Sequence, residues 1–122
     1  GAADRELHDR GQPERSRQMS IYDGYSDHFD ATARLTILRA LAAEDDYRLN
    51  DTLLMRTLEA FAIKRGRGYL RNQLRWLEQE AGAVKLHEVG SVLIAELTEA
   101  GLDHVERRLV LDGVLKPSPV RR

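Results

Sequence analysis

Between Lys64 and Gly90 the chain reads KRGRGYLRNQLRWLEQEAGAVKLHEVG, and its apolar period changes partway along. Leu70, Leu74, Leu77 and Ala81 recur at the spacing of one helix face. Gly82 follows them as the left-handed residue that commonly ends a helix. Beyond it, Val84-Lys85-Leu86-His87 and Val92-Leu93-Ile94-Ala95-Glu96-Leu97 flank Gly90-Ser91, which predicts a two-residue hairpin turn. A helix from Lys64 to Gln79 that runs at once into a hairpin leaves few folds open, because both must bury one face in the same core. In the predicted register Val84 opposes Leu97 and Leu86 opposes Ala95 on the core face. Lys85 opposes Glu96 outside as a cross-strand charge pair. The outer face also receives Val89, Val92 and Ile94, which is unusually apolar for a solvated side.

The flanking segments extend this frame. Asp30 can cap a first long helix from Ala31 to about Ala43, with Leu35, Leu38 and Leu41 as its stripe and Ile37 alongside. A loop, Glu44 to Arg48, follows. Asn50 is the next N-cap, with Leu49 and Leu54 at staple spacing. That second helix reaches about Ile63 and offers Leu54, Leu58 and Phe61 to the core. Gly66 and Gly68 mark a tight turn. Thr98 opens a last helix, with Leu102, Val105 and Leu109 inward, and Gly113 with the Lys116-Pro117-Ser118-Pro119 tail ends regular structure. The predicted fold is α+β: a winged helix-turn-helix with a three-helix core, a two-stranded wing and a C-terminal helix.

The domain spans residues 30–115. Residues 1–29 form a tail and arm, and residues 116–122 a second tail. Residues 1–18 hold too few apolar groups to fold alone. Gly1-Ala2 reads as a cloning remnant and Met19 as an internal start. Ile21, Tyr22, Tyr25 and Phe29 suit an irregular or helical arm whose rings dock on the domain.

A chain of 122 residues with 42% hydrophobic and 32% charged residues supports one modest core. It has no cysteine, which removes disulfides, thiolate zinc sites and cysteine nucleophiles. No apolar run approaches a membrane span, so a soluble, cytoplasmic protein is expected. Its four histidines share no ligand spacing, Glu44-Asp45-Asp46 is a solvated loop, and no phosphate-cradling glycine loop is present. The expectation is a protein that is not an enzyme and takes no cofactor.

The charge is unevenly placed. Lys64, Arg65, Arg67, Arg71 and Arg75 stand against Glu78 alone, a local +4 in a chain whose net charge is −1. This is the footprint of a helix laid against phosphates. On a helical wheel Lys64, Arg67, Arg71 and Arg75 share one shoulder, Tyr69 and Trp76 the other, and Gly68 and Asn72 the most exposed meridian. Asn72, Arg71 and Arg75 are therefore placed to read base edges, by carboxamide on adenine or guanidinium on guanine. Lys64, Arg65 and Arg67 would hold phosphates, and Tyr69 on the other shoulder is a further candidate for DNA contact. The alternative is a solvated basic face. Lys85 and His87 on the wing either touch a flanking phosphate or stay in the sheet, Lys85 paired with Glu96. The wing tip Glu88-Val89-Gly90-Ser91 lacks the arginine that some regulators insert in the minor groove. Trp76 is expected to pack between its helix and the wing rather than stack near DNA.

At this point the chain resembles a known family. Arg71, Leu74-Arg75-Trp76-Leu77, the wing ending Leu97-Thr98-Glu99-Ala100-Gly101 and the closing Gly113-Val114 then Pro117-Ser118-Pro119 look like the small winged-helix proteins of Mu-like phages and prophages, often labelled ArsR- or MarR-like regulators. The resemblance covers roughly residues 35–119 and leaves out the first thirty or so. It implies binding of duplex DNA and a transcriptional role. The rival expectation is a non-enzymatic module that docks on another phage protein in a nucleoprotein assembly. Leu109, Val110, Leu111, Val114 and Leu115 exceed what one core-facing stripe needs, so a homodimer built from the arm and the final helix is expected.

Overall fold

The stripe of Leu35, Ile37, Leu38 and Leu41 is buried by α1, which spans residues 24–42 of the 24–119 that the computed structural model describes. The helix starts well before Ala31. Asp30 lies inside it and accepts a hydrogen bond from the Tyr69 hydroxyl, so it is no N-cap. No proline interrupts residues 24–31, and Phe29 gains a docking site by staying helical. Its ring meets Tyr69 edge-on at 6.0 Å, and the Arg65 guanidinium lies 4.1 Å above it. Tyr25 remains 65% exposed. Ile21, Tyr22 and the tail before them lie outside the described residues.

The loop expected before Asn50 contains a strand. β1, Arg48–Asn50, pairs antiparallel with the second hairpin strand: Arg48 opposite Glu96, Leu49 opposite Ala95 and Asn50 opposite Ile94. The wing sheet therefore has three strands rather than two. Three residues are too few to show a period, and the pairing is wholly non-local. α2, Asp51–Ala60, begins where expected, and the Asn50 side chain accepts from the Leu53 N–H at 2.8 Å. It ends at Ala60, short of the predicted Ile63. Ala62 then turns back with φ 63°, which swings Phe61 out to 67% exposure and folds Ile63 into the core in its place.

α3, Arg67–Gln79, starts after Gly66, which has φ 93°; Lys64 and Arg65 belong to the preceding turn. Leu70, Leu74 and Leu77 are fully buried. β2, Val84–Val89, and β3, Val92–Leu97, pair in the predicted register, and the sheet order is β1-β3-β2. Val84, Leu93, Ala95 and Leu97 point into the core, and Leu86 is half-buried.

α4, Glu99–Val105, is capped by Thr98, whose hydroxyl accepts from the Gly101 N–H at 3.2 Å. It stops before Leu109, and the chain returns over α1 without further helix. His104 directs that return from full burial. Its Nδ1 accepts from the Leu111 N–H at 3.0 Å, which leaves Nε2 to donate to the Leu115 carbonyl at 2.9 Å. The Leu115 N–H then reaches Ala31 O at 3.1 Å, and Val114 is buried. Of the C-terminal apolar surplus, Leu111, Val114 and Leu115 thus cover this chain's own core.

Trp76 packs against this returning segment and α1, away from the wing. Arg34 lies 3.7 Å over its ring and also donates to Gln73 Oε1 at 2.7 Å and Gly113 O at 2.9 Å. Gly113 has φ 88°, and a Cβ there would lie 2.6 Å from Trp76 Cη2. Gly113→Ala combines a left-handed alanine with that clash and should cost about 2 kcal/mol. Trp76 is the only tryptophan, so its fluorescence should shift to the red as the segment lifts. Unchanged emission and melting would contradict this packing.

Candidate nucleic-acid interface

Asp51 organises the basic helix, and no sequence pattern marked it for that role. It is the first residue of α2, where the helix dipole favours a carboxylate, and it is 1% exposed. Its Oδ2 accepts from Arg71 Nη2 at 2.6 Å and Nε at 3.0 Å, and lies 3.0 Å from Arg67 Nη1. Arg67 also reaches the Thr52 hydroxyl at 3.3 Å. Burial alone would raise the Asp51 carboxyl. The hydrogen bonds and charge of Arg71, then of Arg67, outweigh it and hold the group below the usual carboxylate range. The second oxygen, Oδ1, is buried without a partner.

Arg71 spans three elements. Besides Asp51 on α2, its Nη2 donates to the carbonyl of Ser91 in the wing turn at 2.8 Å. In the structure Arg71, expected to read bases, faces Asp51 and the wing turn instead of outward. Its guanidinium is occupied in tying the hairpin tip to the helix-turn-helix, and a long cation beside a buried carboxylate loses more by leaving than an exposed one. Arg67, 46% exposed at its side chain, is partly held in the same way. Tyr69 is also turned inward, since its hydroxyl bonds Asp30. Burial first, and then that hydrogen bond, push its pKa well up.

What remains on the outside of α3 is a continuous meridian. Gly68, Asn72, Arg75 and Gln79 are exposed and follow one another at three- and four-residue steps. No acid interrupts them. Glu78 is drawn to the hairpin, where it accepts from the Leu86 N–H at 2.9 Å. Lys64 and Arg65 are exposed in the turn that leads into the helix, although Arg65 leans on Phe29.

The wing residues stand apart from this meridian. Lys85 and His87 lie on the outer face of the hairpin. Lys85 opposes Glu96 in register, yet the Glu96 carboxylate goes to His87 Nε2 at 3.0 Å and Arg48 Nη2 at 3.4 Å. β1 supplies that arginine, and the hairpin alone could not reveal it. The His87 hydrogen bond, with Arg48 behind it, holds Glu96 below its usual range. Val89 and Val92 at the wing tip are 60% and 39% exposed. Among the described residues no helix is long and apolar enough to cross a membrane.

Helices α1–α3, the sheet returning after α3 and the close of the chain over α1 define a winged helix-turn-helix protein. The chain is 30% identical over 86 residues to gp26 of Escherichia phage Mu, described as an uncharacterized protein, in a match covering 70% of this chain and 88% of that relative. It belongs to the family of that phage protein. No family model and no solved structure matches it.

Proposed function

We propose that the chain binds duplex DNA through α3 and acts as a sequence-specific transcriptional regulator of a phage or prophage. The acid-free meridian of Gly68, Asn72, Arg75 and Gln79 carries this reading. Asn72 and Arg75 have no partner within the chain among the described residues, so their donors are available to base edges in the major groove. The glycine lets the backbone near the helix start approach a phosphate. Lys64 and Arg65 supply charge at that same end, where the helix dipole is also positive. Arg67 and Arg71 serve by holding the helix and the wing in one rigid body. Kinship with a phage protein supports the setting.

Fluorescence anisotropy with the DNA upstream of its own gene tests the proposal. Affinity should fall steeply with salt. Arg75→Ala and Asn72→Ala should each remove about 1–3 kcal/mol of specific binding. Lys64→Ala should weaken all sequences alike and flatten the salt slope. Absence of binding at low salt to that DNA and to mixed genomic fragments would refute it.

One observation favours the second reading, a non-enzymatic module in a phage nucleoprotein assembly. Arg67 and Arg71 are both paired with Asp51, which lowers the charge free for phosphates, while the wing tip presents Val89 and Val92. In that case Val89→Asp would abolish partner capture, and Arg75→Ala would not.

A further inference from the structure

Lys64, Arg65, Arg67 and Arg71 crowd the start of α3, and the chain holds the three arginines in two different ways. Arg67 and Arg71 share the Asp51 carboxylate, which occupies N–H donors and cancels charge. Arg65 is held by a ring. Its guanidinium carbon lies 4.1 Å from the centre of Phe29. It forms no ion pair among the described residues. An aromatic face attracts a cation without removing its charge, and it leaves the edge of the planar fork open to other acceptors.

The ring is itself fixed. Phe29 is half-buried on α1 and packs against the core. Tyr69 meets it edge-on at 6.0 Å, and Tyr25, one turn earlier on α1, adds a tilted contact at 6.3 Å. The Tyr69 hydroxyl donates to Asp30, which pins α3 to α1 beside this stack. The other Asp30 oxygen lies 4.0 Å from Arg34, so both oxygens are turned to neighbours other than Arg65. The surface next to the guanidinium is bare. A Cβ built at Gly66 or Gly68 would meet nothing within 4 Å. Gly68 lies inside α3, where glycine weakens a helix and no packing requires it. A held but unneutralised fork beside a surface without side chains suits an oxyanion carried on a closely approaching backbone.

We infer that Phe29 is a positioning residue that presents Arg65 to a phosphate of duplex DNA, so that the beginning of α1 belongs to the binding surface. This rests on the DNA-binding reading above and adds a residue of α1 to it. The groove that takes α3 is walled by phosphate strands, and Arg65 stands in the turn at the helix entry. Its fork can take two oxygens of one phosphate, whereas Lys64 beside it acts as a point charge. A long side chain on an open turn loses rotamer freedom when a ligand clamps it. Stacked on Phe29, Arg65 has lost part of that freedom before DNA arrives. The helical residues ahead of Ala31 thereby gain a purpose, since they carry the ring to the turn. A phosphate contact reads no sequence, so the ring should affect all duplexes alike.

A double-mutant cycle on the full chain tests this, read by fluorescence anisotropy on the DNA upstream of its own gene and on random duplex of equal length. Phe29→Leu keeps an apolar side chain and removes the ring. It should weaken both duplexes about two- to fivefold, the scale of an exposed cation–π contact. Arg65→Ala should weaken both about tenfold and lower the salt slope by about one phosphate. In the Arg65→Ala background Phe29→Leu should make no further difference, which a merely structural role for the ring would not give. Any loss of folding stability is common to both arms of the cycle. Arg65→Lys should keep the salt slope and still bind more weakly, because an ammonium lacks the fork. Without DNA, the Arg65 Hδ protons should lie upfield in the NMR spectrum and return downfield in Phe29→Leu. Equal losses from Phe29→Leu with and without Arg65, an Arg65→Lys chain that binds like its parent, or unshifted Hδ protons would overturn the inference. The regulator reading would survive those results if Arg75→Ala still weakened specific binding. A parent chain that ignores both duplexes at low salt would remove the reading and the inference together.

Discussion

Asp51→Ala is expected to lower stability by about 3 kcal/mol, measured by denaturant unfolding. Removing one partner of a buried ion pair costs about 3–5 kcal/mol, because a charge is left desolvated. The lower end applies here, since Arg67 and Arg71 keep 46% and 27% side-chain exposure and can turn partly to water. The loss should also free the wing tip from α3, because Arg71 then has only the Ser91 carbonyl to hold it. Hydrogen exchange at Val89 to Val92 should accelerate. On DNA the signs should separate. Two released guanidiniums and one lost carboxylate raise the charge near α3, so affinity for random sequence should hold or rise while discrimination between sequences falls. An Asp51→Ala chain as stable as its parent, with a protected wing, would show that this cluster positions nothing.

The same cluster sets an acid limb. The folded Asp51 pKa lies below its unfolded value near 3.9, so its contribution is complete above about pH 5 and disappears as pH falls through the folded pKa. Asp51→Asn should remove that part of the pH dependence while keeping much of the shape. An unaltered acid limb in this variant would assign the limb to other carboxylates.

Gly101→Val should be the most disruptive single substitution in the hairpin region. A Cβ at this position would lie 2.6 Å from Leu97 Cδ1 and press still closer on the Ala83 carbonyl oxygen. That carbonyl cannot retreat. It accepts from the Thr98 N–H at 3.0 Å, and the Ala83 N–H donates to Leu77 O at 2.8 Å. Even Gly101→Ala, which gains about 1 kcal/mol of helix propensity, should cost about 2 kcal/mol net and lower the melting temperature by about 10 °C. Valine should do worse. A melting temperature within 2 °C of the parent, roughly the error of a fraction of a kcal/mol, would mean that α4 does not pack against the strand this closely. The Leu-Thr-acid-small-Gly pattern thereby acquires a physical meaning. Thr98 caps α4 and also bonds Gly82 O at 2.7 Å, and the glycine makes room for the strand.

What the sequence by itself determined is what local chemistry can encode. The leucine faces of α1 and α3, the Asn50 and Thr98 caps, the turn at Gly90-Ser91 and the hairpin register all depend on neighbours a few residues apart, and all stand in the structure. From them came the winged helix-turn-helix and the position of α3 within it. Element ends were less legible. α1 begins earlier because Phe29 finds Tyr69, and α2 ends earlier because Ile63 rather than Phe61 fills the core. Only tertiary structure decided which basic residues remain free. Asp51 and Arg71 are twenty residues apart, on helices whose approach no periodicity specifies. β1 pairs with a strand more than forty residues later and claims Glu96 for Arg48. His104 and Arg34 are polar residues that a hydrophobic pattern passes over, yet they hold the chain's return to α1. Long-range ion pairs and buried polar groups depend on the angle and depth at which finished elements meet. For that reason the helical wheel could set Asn72 and Arg75 on the outer side of α3, but not show that Asp51 turns Arg71 inward.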